Sequence, residues 1–194
     1  MYGLTLITPP ATEPLTLEDA KLHLREDGTA QDALITSLIK AAREHVEGFL
    51  GRALVTQTWD LTLDGFPSSG EVLIPRPPLV SVTSVKYLDA AGVQQTMTAS
   101  DYVVDVAQQP GRVFLAYGAN WPTIQTRQNA VVIRFVAGYG AAASVPESIK
   151  AAVKLLVGHW YENREAAIVG TSAAAVPMAV ESLLWMERTP EAFV

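Results

Sequence analysis

Phe49-Leu50-Gly51-Arg52-Ala53-Leu54-Val55-Thr56-Gln57-Thr58-Trp59-Asp60-Leu61-Thr62-Leu63 is where the chain changes its period. Before Gly51, the apolar residues Leu34, Ile35, Leu38, Ile39, Ala42, Val46, Phe49 and Leu50 recur at spacings of three and four. That spacing gathers them on one stripe of a helix. Lys40, Arg43, Glu44 and Glu47 fall between them as a charged face. Gly51 takes the position just past the helix end, where a left-handed residue is needed. From Val55 on, Gln57, Trp59, Leu61 and Leu63 alternate with threonines and Asp60, the two-residue period of a strand. A helical part therefore gives way to a β part, and the fold class is α+β.

Upstream, Thr16 reads as an N-cap with Pro14 before it and Asp19 three residues on, a capping box with Asp in place of Glu. It opens a short helix from Leu17 to Arg25 that Asp27-Gly28 ends. Thr29 with Asp32 opens the longer helix. Downstream, Glu71 to Ile74 is a short strand closed by Pro75-Arg76-Pro77-Pro78. Val80 to Leu88 and Val93 to Met97 flank Asp89-Ala90-Ala91-Gly92, a hairpin signal. Tyr102 to Val106 and Arg112 to Leu115 flank a Pro110-Gly111 turn. Ala116 to Asn129 reads as a loop, and Ala130 to Ala137 is a β-branched run suited to a central strand. A second helical segment spans Val145 to Asn163, with Pro146 in the first turn, Ser144 as cap, and Ile149, Val153, Leu156, Val157 and Trp160 as its stripe.

Residues 15–164 read as one α+β domain, with its N- and C-terminal helices packed together and an antiparallel β insertion at about 54–140. Residues 165–194 form an apolar tail, and Met178 to Arg188 is expected to make a last helix. Its residues Val176, Val180, Leu183, Leu184, Trp185 and Met186 bring apolar area that has no evident place in the core. Two readings follow: a helix folded back on its own domain, or a segment that docks into a partner.

The composition excludes several functions. The 194 residues include no cysteine, which removes disulfides and thiolate metal sites. Net charge is −6, with no segment net basic, which argues against tight binding to a nucleic-acid backbone. An acidic surface instead suits the wall of a channel through which DNA passes. No secretory signal or membrane span is visible. His23, His45 and His159 lie too far apart for a metal motif, and no nucleophile elbow or phosphate loop is present. Asp60, Asp64, Asp101 and Asp105 sit at strand ends and turns, where solvated acids are usual. The remaining enzymatic reading is a small hydrolase using His159 with Glu162.

Together, several runs have a familiar order. They are Leu15-Thr16-Leu17-Glu18-Asp19-Ala20-Lys21 with His23-Leu24-Arg25, Ala41-Ala42-Arg43-Glu44, and Gly51-Arg52-Ala53-Leu54. Pro77-Pro78-Leu79, Ala137-Gly138-Tyr139-Gly140 and His159-Trp160-Tyr161-Glu162-Asn163-Arg164 follow. This order resembles the head–tail connector (adaptor) proteins of long-tailed bacteriophages, prophages and gene transfer agents. The resemblance covers roughly residues 15–190. It implies a helical connector core with a β insertion and a structural, non-enzymatic role without cofactor or metal. It also implies a ring of about twelve copies, whose contacts are heterologous. Such a ring docks on the portal in the virion, extends the DNA channel and carries a tail-side stopper or tail-completion protein; assembly takes place in the host cytoplasm. The alternative is that the chain is itself a tail-completion or stopper ring. The C-terminal segment of the family implies portal docking through roughly Val176 to Met186.

Overall fold

The computed structural model describes residues 2–163 and 178–188. They run as β1 (Tyr2–Thr8), α1 (Leu17–Leu24), α2 (Asp32–Leu50), β2 (Gln57–Leu63), β3 (Glu71–Ile74), β4 (Leu79–Leu88), β5 (Gln94–Thr96), β6 (Tyr102–Asp105), β7 (Gly111–Leu115), β8 (Val131–Ala137), α3 (Glu147–Glu162) and α4 (Met178–Trp185). Two compact units result. One is built of strands, from residues 2–10 and 56–139; the other is built of helices, from residues 11–55, 140–163 and 178–188. The α+β class expected from the sequence stands.

In the strand unit, β8 is central. Val131, Ile133, Phe135 and Ala137 are fully buried, while Val132, Arg134 and Val136 on the other face are half-buried. β2 and β4 flank β8 on either side, both antiparallel, in a five-stranded sheet of order β1-β2-β8-β4-β5. A second, three-stranded sheet has the order β3-β7-β6. Both expected hairpins form, β4 with β5 and β6 with β7. Asp89 ties the first turn: its Oδ1 accepts from the N–H groups of Ala91 and Val93, and its Oδ2 accepts from Gln95. The Gln95 amide and then the Val93 N–H hold its carboxyl below the usual carboxylate range. Gly111 opens β7 against β4. A Cβ there would stand 2.6 Å from Leu79 Cβ, so only glycine permits this approach.

No element was assigned to residues 2–8 from the sequence, and the structure places β1 there, paired antiparallel with β2. The period-two signal in Tyr2-Gly3-Leu4-Thr5-Leu6 is short, and Ile7 breaks the alternation before Pro9-Pro10.

In the helical unit, Ile35, Ile39, Ala42, Val46 and Leu50 of α2 are buried, as are Ile149, Ala152, Val153, Leu156 and Val157 of α3. The two stripes pack together, and α1 rests on both helices. Each Ile, Leu or Val so buried contributes about 1.5–3 kcal/mol over its exposed state. Thr16 caps α1 as expected: its Oγ1 accepts from the Asp19 N–H at 3.0 Å. Asp, one methylene shorter than Glu, takes the Thr16 hydroxyl hydrogen at 2.7 Å. Three helix ends differ from expectation. α1 stops at Arg25, which takes the left-handed conformation (φ 57°), before Asp27-Gly28 is reached. The N-cap of α2 is Gln31, without a side-chain cap bond, and not Thr29. Pro146 is the N-cap of α3, while Ser144 belongs to a preceding 3₁₀ turn. Gly51 closes α2 at φ 67° as expected.

The charged face of α2 divides. Lys40 and Glu44 are exposed, but Arg43 and Glu47 are buried, at 4% and 7% exposure. Arg43 donates from Nε to Glu13 Oε2 at 2.7 Å and from one terminal nitrogen to Glu47 Oε2 at 2.8 Å. The other oxygen of Glu47 accepts from the Leu54 N–H at 2.9 Å. Burial works against the charge on Arg43. The bond to Glu13 and the fields of Glu47 and Glu13 more than offset it, so the guanidinium is held charged above its usual range.

Two stability predictions follow from these contacts. Arg43→Met leaves Glu47 buried without its cation and should cost about 3–5 kcal/mol; an unchanged urea midpoint would show the cluster to be incidental. Gly111→Ala overpacks the approach to Leu79 and should cost about 1–3 kcal/mol, read from the shift in thermal midpoint.

Candidate functional site

α4 is amphipathic over just eight residues. Val180 and Leu184, four apart and so one above the other, are buried at 0% and 1%. They turn toward the helical unit, where α4 packs on α3 and α2. The end of the helix is fastened more elaborately. Trp185 meets Phe49 edge-on with ring centroids 6.3 Å apart. The Arg188 guanidinium lies 5.6 Å from the Phe49 ring centre and 5.1 Å from that of Trp185. Arg52 Nε donates to the main-chain carbonyl of Glu187 at 2.6 Å, and Ser148 Oγ donates to its carboxylate at 3.3 Å.

The opposite face of α4 is bare. Met178, Trp185 and Met186 are 83%, 59% and 80% exposed, with Leu183 half-buried beside them. The residues singled out in the sequence as a docking tail therefore divide. Val180 and Leu184 face inward, Trp185 and Met186 face outward, and Leu183 lies between. Val176 lies outside the described residues, as do 165–177 and 189–194 of the expected tail. The i, i+4 spacing of Val180 and Leu184 carried the signal for this division.

The candidate catalytic groups do not converge. His159 Nδ1 lies 3.4 Å from the Asn163 amide, whose nitrogen also donates to the His159 carbonyl at 2.8 Å. Glu162 is exposed. A groove of about 690 Å³ runs along α1, and neither His159 nor Glu162 lines it. His45 packs edge-on against Trp160 at 5.8 Å. Three of the four candidate aspartates are structural: Asp60, in the middle of β2, accepts both bonds of a bidentate Arg134 at 2.8 Å, directly across the β2–β8 pair. Asp105 accepts from Arg112, and Asp64 accepts from the Asn129 N–H. Among the described residues no group of three His, Cys, Asp or Glu is placed to hold a metal ion. Trp121 stacks on Phe66 with ring centroids 4.4 Å apart, and Tyr87 lies beside the stack.

A family model described as head completion protein matches residues 13–179. Three solved structures of gene transfer agent particles resemble the chain over nearly its whole length. The neck of an empty particle computed with C6 symmetry has a TM-score of 0.79 and 28% identity, covering 97% of this chain and 96% of that one. The virion of a native particle gives 0.77 and 30%, covering 96% and 95%. The neck of a native particle computed with C12 symmetry gives 0.76 and 29%, covering 97% and 96%. No curated protein matches.

The two faces of α4 should separate on mutation. Leu184→Ala should cost about 2–5 kcal/mol of α4 docking and raise amide exchange along the helix. Met186→Ala should stay within about 0.5 kcal/mol of wild type. Equal effects would contradict the division.

Proposed function

The chain belongs to the head completion protein family, a structural and not an enzymatic part of the virion neck, and from that premise we propose that it is a ring-forming head–tail adaptor. The carrying observation is the full-length resemblance to gene transfer agent necks, since it spans both units and not one shared motif. Those necks were computed with six- and twelve-fold symmetry, which supports copies of this chain standing side by side in a ring. A closed ring needs each copy to meet its neighbour through two different surfaces.

In this reading the ring sits on the portal, prolongs the channel for DNA and presents a platform to the tail-side stopper or tail-completion protein. The net charge of −6 suits passage of DNA without capture. The description "head completion" supports a place on the head side of the neck rather than one ring lower. The finished protein is a component of the virion, and it assembles there from the host cytoplasm. Among the described residues no helix is long and apolar enough to cross a membrane.

The exposed side of α4 is the portal-facing surface in this proposal. Trp185, Met186 and Leu183 make the contact, with Met178 at the other end of the helix. Val180 and Leu184 take the complementary part of holding the helix on its own subunit. Apolar, aromatic-centred patches of this kind concentrate binding energy.

The test mixes purified protein with its cognate portal and images the product by electron microscopy. A ring of added density on the tail-side face of the portal is expected. Trp185→Ala with Met186→Ala, checked for intact fold by circular dichroism, should weaken association by roughly thirtyfold or more. Unchanged association would remove α4 from the portal contact, and absence of any ring would overturn the adaptor reading.

A further inference from the structure

The open edges of the two sheets are unlike one another. Among the described residues, β5 is a three-residue polar edge, and β3 and β6 are four residues long, with Glu71 and Asp105 respectively. β1 is seven residues, Tyr2 to Thr8, with neither a charge nor a proline. An edge strand exposes a row of main-chain donors and acceptors that pairs readily with another strand, so edges are normally short, charged or interrupted. β1 has a single such device, a register shift between Leu6 and Thr8.

Its side chains extend the same surface. The register sets Tyr2, Leu4 and Leu6 beside Leu63, Leu61 and Trp59 of β2, and these beside Val131, Ile133 and Phe135 of β8. In β8 this row is fully buried. In β1, Tyr2 is 43% and Leu6 40% exposed, and Ile7 at the irregularity is 41% exposed. The apolar face of the sheet thus continues past its cover and ends in solvent.

We infer that β1 is the edge through which one copy of this chain joins its neighbour in the ring, by pairing with β6 of the neighbouring copy. This rests on the ring proposed above. A second copy fits the edge for three reasons. Each copy carries −6, so copies approach best where the surface is uncharged, as β1 is. Ring closure needs a second, different surface, and β6 supplies one: Val103 is 43% exposed, and Val106 just beyond its end is 48% exposed. The one charge of β6, Asp105, is already paired with Arg112, so it brings no free acid to the contact. Strand addition then satisfies the main chains of both edges and covers Leu6.

The chain has no cysteine, so an introduced pair is unique. Thr5→Cys with Val103→Cys puts one thiol on β1 and one on β6; Thr5→Cys with Gln95→Cys on β5 is the control. Both pairs are assembled on the portal and treated with a short bifunctional thiol crosslinker. In parallel, Leu6→Lys is assayed for rings by electron microscopy, with its fold checked by circular dichroism. A ladder of covalent oligomers from the Thr5/Val103 pair alone is expected. Ring yield for Leu6→Lys should fall roughly tenfold or more, because the contact would bury an unpaired charge. Wild-type ring yield from Leu6→Lys with no Thr5/Val103 ladder overturns the inference while the ring stands. A ladder through Gln95 instead overturns the assignment to β6. Should Leu6→Lys fail to fold, the crosslinks at exposed positions decide. Failure of the wild type to form any ring overturns the adaptor reading itself.

Discussion

The buried cluster of Arg43, Glu47 and Glu13 holds the helical unit to one arrangement. Glu47 accepts at once from Arg43 on its own helix and from the main chain at Leu54, beyond the helix end. Arg43 reaches in turn to Glu13, which lies before α1. The segment before α1, the middle of α2 and the chain just past its end are therefore tied together through one guanidinium and one carboxylate. A buried ion pair of this kind adds little stability over an apolar substitute, but it punishes any misplacement that leaves a charge alone. It specifies where the chain enters and leaves the helices, and the apolar stripes of α2 and α3 then supply the stability.

The role in a virion neck follows from surfaces more than from sites. Two of the acids that a sequence reading offers for catalysis are engaged in holding strands, Asp60 on Arg134 and Asp105 on Arg112. Among the described residues, the outer side of α4 in the helical unit and the β1 edge in the strand unit are exposed apolar surface. A part that is built into an assembly needs such faces and no turnover, and membership of the head completion protein family agrees with that economy.

The strong local patterns were legible in the sequence. β8 shows as a β-branched run, α2 as an eight-residue stripe at spacings of three and four, and the two hairpins by their turn residues. Features decided by distant partners were not. Arg43 and Glu47 read as a charged face because helix periodicity counts charges as outward, and nothing local reveals Glu13 or the Leu54 N–H. β1 alternates for only five residues before Ile7 breaks the pattern, and its partners on β2 lie fifty or more residues away. The tail read as uniformly apolar; the four-residue spacing of Val180 and Leu184 marks one face, and packing on α2 and α3 makes that face the inward one.

The bond from Arg52 to residue 187 ends on a main-chain carbonyl. A carbonyl is present whatever amino acid occupies the position. That one bond is thus indifferent to the identity of residue 187, and the exposed Met178 and Met186 take no part in the fastening, whereas Trp185 is held against Phe49. Under the proposed docking role, the two methionines are the positions at which a lineage can follow a diverging partner through point mutations without loosening the helix.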